Sequence, residues 1–362
     1  MRLPVYKLST RSWIVLAFIL LFGLWTLQSG TEDREAQAAA AAFSNQAIVS
    51  LASTQARFDN ELPITLWSLL RQTVRPAGIR LHLPFVANGE QHQWKDSNFS
   101  PDIQSAIQEG YIRVINVEDI GPATKFRYTL QDLISEGDLD RPVIVLDDDH
   151  AYAPTLIAEL LQAHEAMPSS SIGFRGWRVR RDLRWGVSGD AEFHRHVITG
   201  DRLKEPFRVS VLTANEGYLI APRFVQDNPY FSAVADENDP SHLVDDIVMA
   251  GILAEQKIPK YIIPAQESSL DVTVVHPLEQ HMKSEGSNRA AANTATLHKF
   301  KAAWESEDLF YVFQKNALAA KGVSTVLDDP VEASTITRLR RTAAALRRKA
   351  MIKAKFPKVS FA

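Results

Sequence analysis

The chain has 362 residues, of which 45% are hydrophobic, and a formal net charge of −3. That length and composition fit one large globular domain or two closely packed halves, and the near-neutral charge gives no reason to expect nucleic acid as a partner. Cysteine is absent, which excludes a disulfide framework, a zinc–thiolate site and a thiol nucleophile, so any metal must be held by oxygen or imidazole.

Residues 1–11 form a short basic tail carrying Arg2, Lys7 and Arg11. Residues 12–28 are apolar and uncharged, with Glu32 and Asp33 beyond them. The run is expected to be one N-terminal transmembrane helix, a signal anchor with its positive flank inside and the body of the chain across the membrane. It is slightly short for a span, so a cleaved signal peptide is the alternative, but no small-x-small site closely follows it. A single-pass type II protein of this kind is expected in the Golgi of a eukaryote or the cell-envelope membrane of a bacterium. Residues 29–46, with five alanines at 38–42, read as a stalk.

The catalytic domain is expected over residues 47–330. The apolar run 47–52 predicts a first strand, 62–72 a helix with Pro63 in its first turn, and 79–84 a second strand by alternation. A helix over 102–108 and a strand over 111–116 follow, then a fully apolar strand over 143–146 and a helix over 154–166. Strands alternating with helices predict an α/β, doubly wound and mostly parallel sheet with helices on both faces. Ligands in such sheets bind at the carboxyl ends of strands.

The strand at 143–146 runs directly into Asp147, Asp148 and Asp149. Three carboxylates in one turn repel one another unless a cation neutralises them, and a hard divalent ion (Mn2+ or Mg2+) that also bridges two phosphates would activate a nucleotide diphosphate as leaving group. The alternative is a solvated acidic turn capping the next helix. A second acidic pair, Asp245 and Asp246, opens the apolar helical run ending at Ala254. It reads either as a capping pair, favoured by the helix dipole, or as the source of a general base for an acceptor hydroxyl.

Seven segments in this order resemble GT-A-fold, family-2-like glycosyltransferases: residues 49–58, 65–73 with Pro76, 79–84, 119–125, the triplet, 215–222, and Asp245 with Asp246. The resemblance spans about residues 47–265. It implies transfer of a sugar from a nucleotide-diphosphate sugar to a hydroxyl of a glycan or glycoconjugate. Ser50, Arg57 and Lys125 would lie on the donor side, with Asp147 at the ribose or base and also a metal ligand, Asp148 beside it, and Asp149 on the metal. Glu216 and Gly217 would line the acceptor side, Asp246 would be the base of an inverting displacement with Asp245 next to it, and His276, or its rival His281, a third metal ligand. A retaining outcome stays open, as do a noncatalytic glycan- or partner-binding protein on the same fold and a metal-dependent phosphohydrolase.

The family commonly carries a proline pair in the first loop, where this chain has Ser53 to Ala56. Residues 173–185, with Arg175, Arg178, Arg180, Arg181, Arg184, Trp177 and Trp185, read as a variable insertion that either receives an acidic or carbohydrate acceptor or is a solvated loop. Residues 331–362 are expected to be a basic C-terminal tail. From Arg338 onward there are nine Lys or Arg and no Asp or Glu, a composition suited to a helix on anionic lipid or to a disordered, solubilising end. The sequon at Asn98 has meaning only in a secretory lumen.

Overall fold

The computed structural model describes residues 46–84, 86–87, 90–91, 99–185, 197–232, 239–272, 289–311, 331–357, 359 and 361. The expected anchor and stalk, Asn98, His276 and His281 lie outside them. Among the described residues no helix is long and apolar enough to cross a membrane.

Eight strands build the central sheet: β1 (Ile48–Ala52), β2 (Gly78–Pro84), β3 (Ile112–Val117), β4 (Val143–Val145), β5 (Ser171–Gly173), β6 (Phe207–Val209), β7 (Tyr218–Ile220) and β8 (Lys260–Ile262). Their spatial order is β6-β8-β5-β7-β4-β1-β2-β3. β1 pairs in parallel with both β2 and β4, while β7 runs antiparallel between β4 and β5. The run of parallel strands is buried on both faces, which is why β1 and β4 are continuously apolar instead of alternating.

The helices are α1 (Leu62–Leu69), α2 (Pro101–Gln108), α3 (Thr124–Glu136), α4 (Leu156–Ala166), α5 (Asp245–Glu255), α6 (Arg289–Lys299), α7 (Lys301–Glu307) and α8 (Thr335–Lys355). Two core clusters form: α3, α5, α6 and α7 contribute to one, and α1, α2 and α4 to the other. Gly137 ends α3 in the left-handed region, with its N–H and that of Asp138 returning to the carbonyls of Ile134 and Leu133; a glycine there avoids the Cβ penalty. The mostly parallel sheet flanked by helices is the architecture the alternating pattern predicted.

Two expectations about peripheral segments change. Residues 173–185 are not simply a solvated loop. Gly173 ends β5, and Arg175–Trp177 is the middle strand of a three-stranded sheet between Ile198–Thr199 and Val211–Leu212. Trp177, Arg178, Val179 and Leu183 are buried there, with Arg178 over the Phe207 ring, while Arg181 and Arg184 stay exposed.

The basic C-terminal segment is the 21-residue helix α8 and not a disordered end. It lies on the domain, where Ile352 and Val359 join Ile64 and Trp67 of α1 in a third apolar cluster. α1 therefore buries one side, Leu62, Leu66 and Leu69, in the sheet-facing core and the other under α8. This explains a helix apolar on nearly every face.

Candidate active site

The acidic triplet follows β4 at its carboxyl end, and its backbone is fixed from three directions. The Thr65 hydroxyl of α1 bonds the carbonyls of Asp148 (2.8 Å) and His150 (2.9 Å). Tyr152 donates its hydroxyl to the carbonyl of Asp147 at 2.9 Å. The short strand His150–Ala151 pairs antiparallel with Leu270–Asp271, and Val272 donates its N–H to the Asp149 carbonyl.

Each carboxylate of the triplet then meets a protein cation. Asp147 is ion-paired with Lys125. Asp148 accepts from Ser53 and from Arg57, each at 2.5 Å. Asp149 lies 3.2 Å from the same guanidinium and 2.7 Å from His150 Nδ1, and His150 is closed on its other nitrogen by Asp271. Burial acts to raise Asp149, but the His150 hydrogen bond and Arg57 hold it at about 2. Burial pulls the His150 imidazole down, and Asp149 with Asp271 outweigh that and lift it to about 10. The central Asp148 is the most enclosed, and its desolvation raises it despite Arg57. The repulsion expected within the turn is thus relieved by Lys125, Arg57 and His150.

Asp245 and Asp246 occupy the first turn of α5. Lys125, in the first turn of α3, reaches across to Asp245 at 2.9 Å while paired with Asp147. Its burial disfavours the ammonium, yet Asp147, Asp245 and Asp246 together hold it well above the ordinary lysine range. Asp246 accepts the N–H of Ala214 at 3.2 Å, and burial and the charge of Asp245 push its carboxyl up to about 8. Two acidic motifs about a hundred residues apart in sequence therefore share one lysine.

The approach of the two motifs depends on a glycine. Gly121 has φ +72°, and a Cβ there would stand 2.6 Å from the carbonyl oxygen of His242. That bare contact lets the loop before α3, tied by Asp119 to the Gly121 N–H at 2.9 Å, lie directly against the segment leading into α5. Gly217 has a similar role: with φ +85° and a Cβ that would meet Leu146 Cδ2 at 2.8 Å, it turns the chain under the end of β4 before β7.

The remaining predicted residues fall into place around this centre. Ser50 is fully buried, and its hydroxyl bonds the Lys125 carbonyl (2.6 Å) and the Thr129 hydroxyl (2.7 Å). It supports the helix that carries Lys125 and does not face an open ligand site. Arg57 reaches Asp148 and Asp149 from the short helical turn after β1. Glu216 is half-buried, accepts the Ser269 N–H at 3.0 Å, and is raised by burial to about 7. Beside it Arg175 bonds Thr213 (3.2 Å) and Asn215 (3.3 Å).

Sequence reasoning missed Ser53, Thr65, His150 and Asp271. His150 directly follows the triplet and was within reach of inspection. Asp271 was not, because only the pairing of two short strands brings it there. A cavity of about 340 Å3 lined by Gln72, Arg75, Asp102 and Tyr111 lies elsewhere, on α1 and α2, and includes none of the acids.

Among the described residues no group of three His, Cys, Asp or Glu gathers as a metal cage. The side-chain oxygens of Asp147 and Asp149 are nevertheless hard donors at one turn. Such a donor set fits a magnesium-like ion whose shell is completed by phosphate and water, because those ions are commonly held by one or two carboxylates.

No family model matches the chain, and no curated protein matches it. Among solved structures, GalNAc-T7 with UDP, GalNAc and Mn2+ aligns at 12% identity over 61% of this chain and 43% of that one, with TM-score 0.41. The mannosyltransferase PcManGT from Pyrobaculum calidifontis in complex with GDP-Man and Mn2+ aligns at 14% identity over 87% and 88%, with TM-score 0.39. A 4-diphosphocytidyl-2C-methyl-D-erythritol synthase aligns at 11% identity over 66% and 97%, again at 0.39. Likenesses this distant carry no argument about the chemistry of this chain.

Proposed function

We propose that this protein is a GT-A-like glycosyltransferase that moves a sugar from a nucleotide-diphosphate donor to a hydroxyl of a glycan or glycoconjugate. One observation carries the reading: the triplet after β4 and the pair opening α5 converge through Lys125 at the carboxyl ends of parallel strands, where ligands bind in such sheets. The ordered sequence resemblance supports it.

In this reading Asp147 and Asp149 hold a divalent ion, Mn2+ or Mg2+, together with the donor diphosphate. When bound, that ion supplies charge neutralisation of the departing diphosphate. Asp148, enclosed by Ser53 and Arg57, fixes the turn. Lys125 and Arg57 set the positive potential at which phosphate charge is stabilised. Asp246 is the base: with its carboxyl near 8 it holds or takes a proton close to neutral pH, and removal of the acceptor hydroxyl proton by its carboxylate accompanies inversion at the anomeric carbon. Glu216 and Arg175 face the acceptor. His276 remains a proposed third ligand, and residues 12–28 a proposed type II membrane anchor.

A panel of nucleotide sugars, scored by thermal shift with and without Mn2+ and then by donor hydrolysis, tests this. Metal-dependent turnover of one donor that disappears in Asp149→Asn is the expected result. Metal-independent binding without turnover of any donor would point to a binding protein, and release of inorganic phosphate without sugar transfer to a phosphohydrolase.

A further inference from the structure

Helix α8 presents two opposite faces, and only the inner one is used by the domain. Inward, Arg341, Ala345, Arg348 and Ile352 recur at helical spacing. Arg341 donates to the carbonyl of Leu203 at 3.2 Å, Arg348 is ion-paired with Glu267 and Ile352 is fully buried. Outward, Ile336, Leu339, Ala343, Leu346 and Ala350 recur at alternating spacings of three and four, with Met351 beside them, which places them on one stripe of the helix.

Ile336 is 65% exposed, Leu339 64%, Leu346 61% and Met351 51%. With neighbouring Val331 these are all the exposed large hydrophobic residues of the described chain, so the feature is a concentrated patch and not the scatter usual on a protein surface. Arg340 and Arg347 are exposed on the same side, and the helix contains no acidic residue.

We propose that the outer face of α8 docks on an anionic lipid surface. An apolar stripe interleaved with arginine, and free of carboxylates, matches a plane in which acyl chains lie directly beneath negative headgroups: the leucines enter the acyl boundary while the guanidinium groups stay at headgroup depth. The inner face is held by Arg341, Arg348 and Ile352, so docking leaves the fold intact and fixes the orientation of the domain on the membrane. This inference does not depend on the catalytic reading.

The absence of cysteine makes a single-label test direct. The full chain carrying Leu346→Cys, or Asp138→Cys as a control at a half-buried site far from α8 in the chain, is labelled with an environment-sensitive fluorophore. Each protein is incorporated into phosphatidylcholine vesicles with or without phosphatidylglycerol, both containing brominated lipid. Quenching of the label at 346, absent at 138 and dependent on phosphatidylglycerol, is expected. Adding Arg340→Gln and Arg347→Gln should lower the quenched-to-unquenched ratio about fivefold per charge removed. Both side chains are exposed, and an unchanged near-ultraviolet dichroism spectrum verifies the fold. Equal quenching at 346 and 138, quenching indifferent to phosphatidylglycerol, or protection of the label without lipid accompanied by a dimer in light scattering would each overturn the proposal, the last in favour of a second copy of the chain.

Discussion

Asp148 and Asp246 are both aspartates enclosed at the same site, yet their charges are balanced by different means. Asp148 has a hydroxyl and a guanidinium on its two oxygens. Asp246 has one backbone N–H, and the lysine nearest to it is engaged by Asp147 and Asp245. Protein cations thus face each carboxylate of the triplet and Asp245 of the pair, whereas Lys125, the cation that acts on Asp246, is bonded to Asp147 and Asp245. A carboxyl left short of countercharge in a dry place is raised, so its ionised fraction grows only as pH approaches 8, and once ionised it is a stronger base than an ordinary aspartate.

The contrast can be broken most severely at the triplet. Asp149→Asn keeps the size of the side chain and removes an ionised oxygen, and donor turnover should fall on the order of 10²-fold or more if that oxygen serves the metal. Initial rates at saturating Mn2+ measure it, and a rate within a factor of about two of wild type would remove Asp149 from the chemistry.

Next comes the shared cation. Lys125→Met strands Asp147 and Asp245 without their partner, and a loss of about 3–5 kcal/mol in unfolding free energy is expected. Urea denaturation reads this directly. Combining it with Asp147→Asn and Asp245→Asn should restore much of the loss, because no uncompensated carboxylate then remains between the motifs.

Gly217→Ala addresses the turn beneath the end of β4 that leads into β7. A positive φ and the approach of Leu146 together predict about 1–3 kcal/mol of destabilisation, visible in the same denaturation curves. A neutral result would mean that the turn rearranges at little cost.

The gentlest probe is pH. The folded Asp246 carboxyl titrates near 8, against an ordinary value of 3.8, so the folded state binds this proton more tightly than the unfolded state. Its stabilising contribution is complete below the ordinary value and is lost as pH rises toward 8. Asp246→Asn, which cannot ionise, should therefore melt higher than wild type at pH 9 and close to it at pH 4, in metal-free buffer. A constant difference across that range would show that Asp246 is not the group held protonated.

Much of the fold was legible in the chain. β1, β2, β3 and β4 appear where runs of apolar or alternating residues predicted them, since β-branched segments bounded by turn residues have few other uses. The acids of the site were legible too, because charge next to a buried strand is conspicuous. Their partners were not. Arg57 and Lys125, expected on the donor side, engage the carboxylates of the site, and Ser50 is buried against Lys125 and Thr129. Within residues 173–185 the burial of Trp177 and Arg178 was not legible, because it follows from the pairing of Arg175–Trp177 with two later strands.

By itself, then, the sequence determined the alternation of strands and helices, the two acidic motifs and the basic, acid-free composition of the C-terminal segment, all of which are read from neighbouring residues. Only the tertiary structure decided which cation neutralises which acid, that Asp271 closes on His150, and which face of α8 is spent on the domain. Those are contacts between residues far apart in the chain, and their geometry comes from strand order and the close approach that Gly121 permits, which no local pattern encodes.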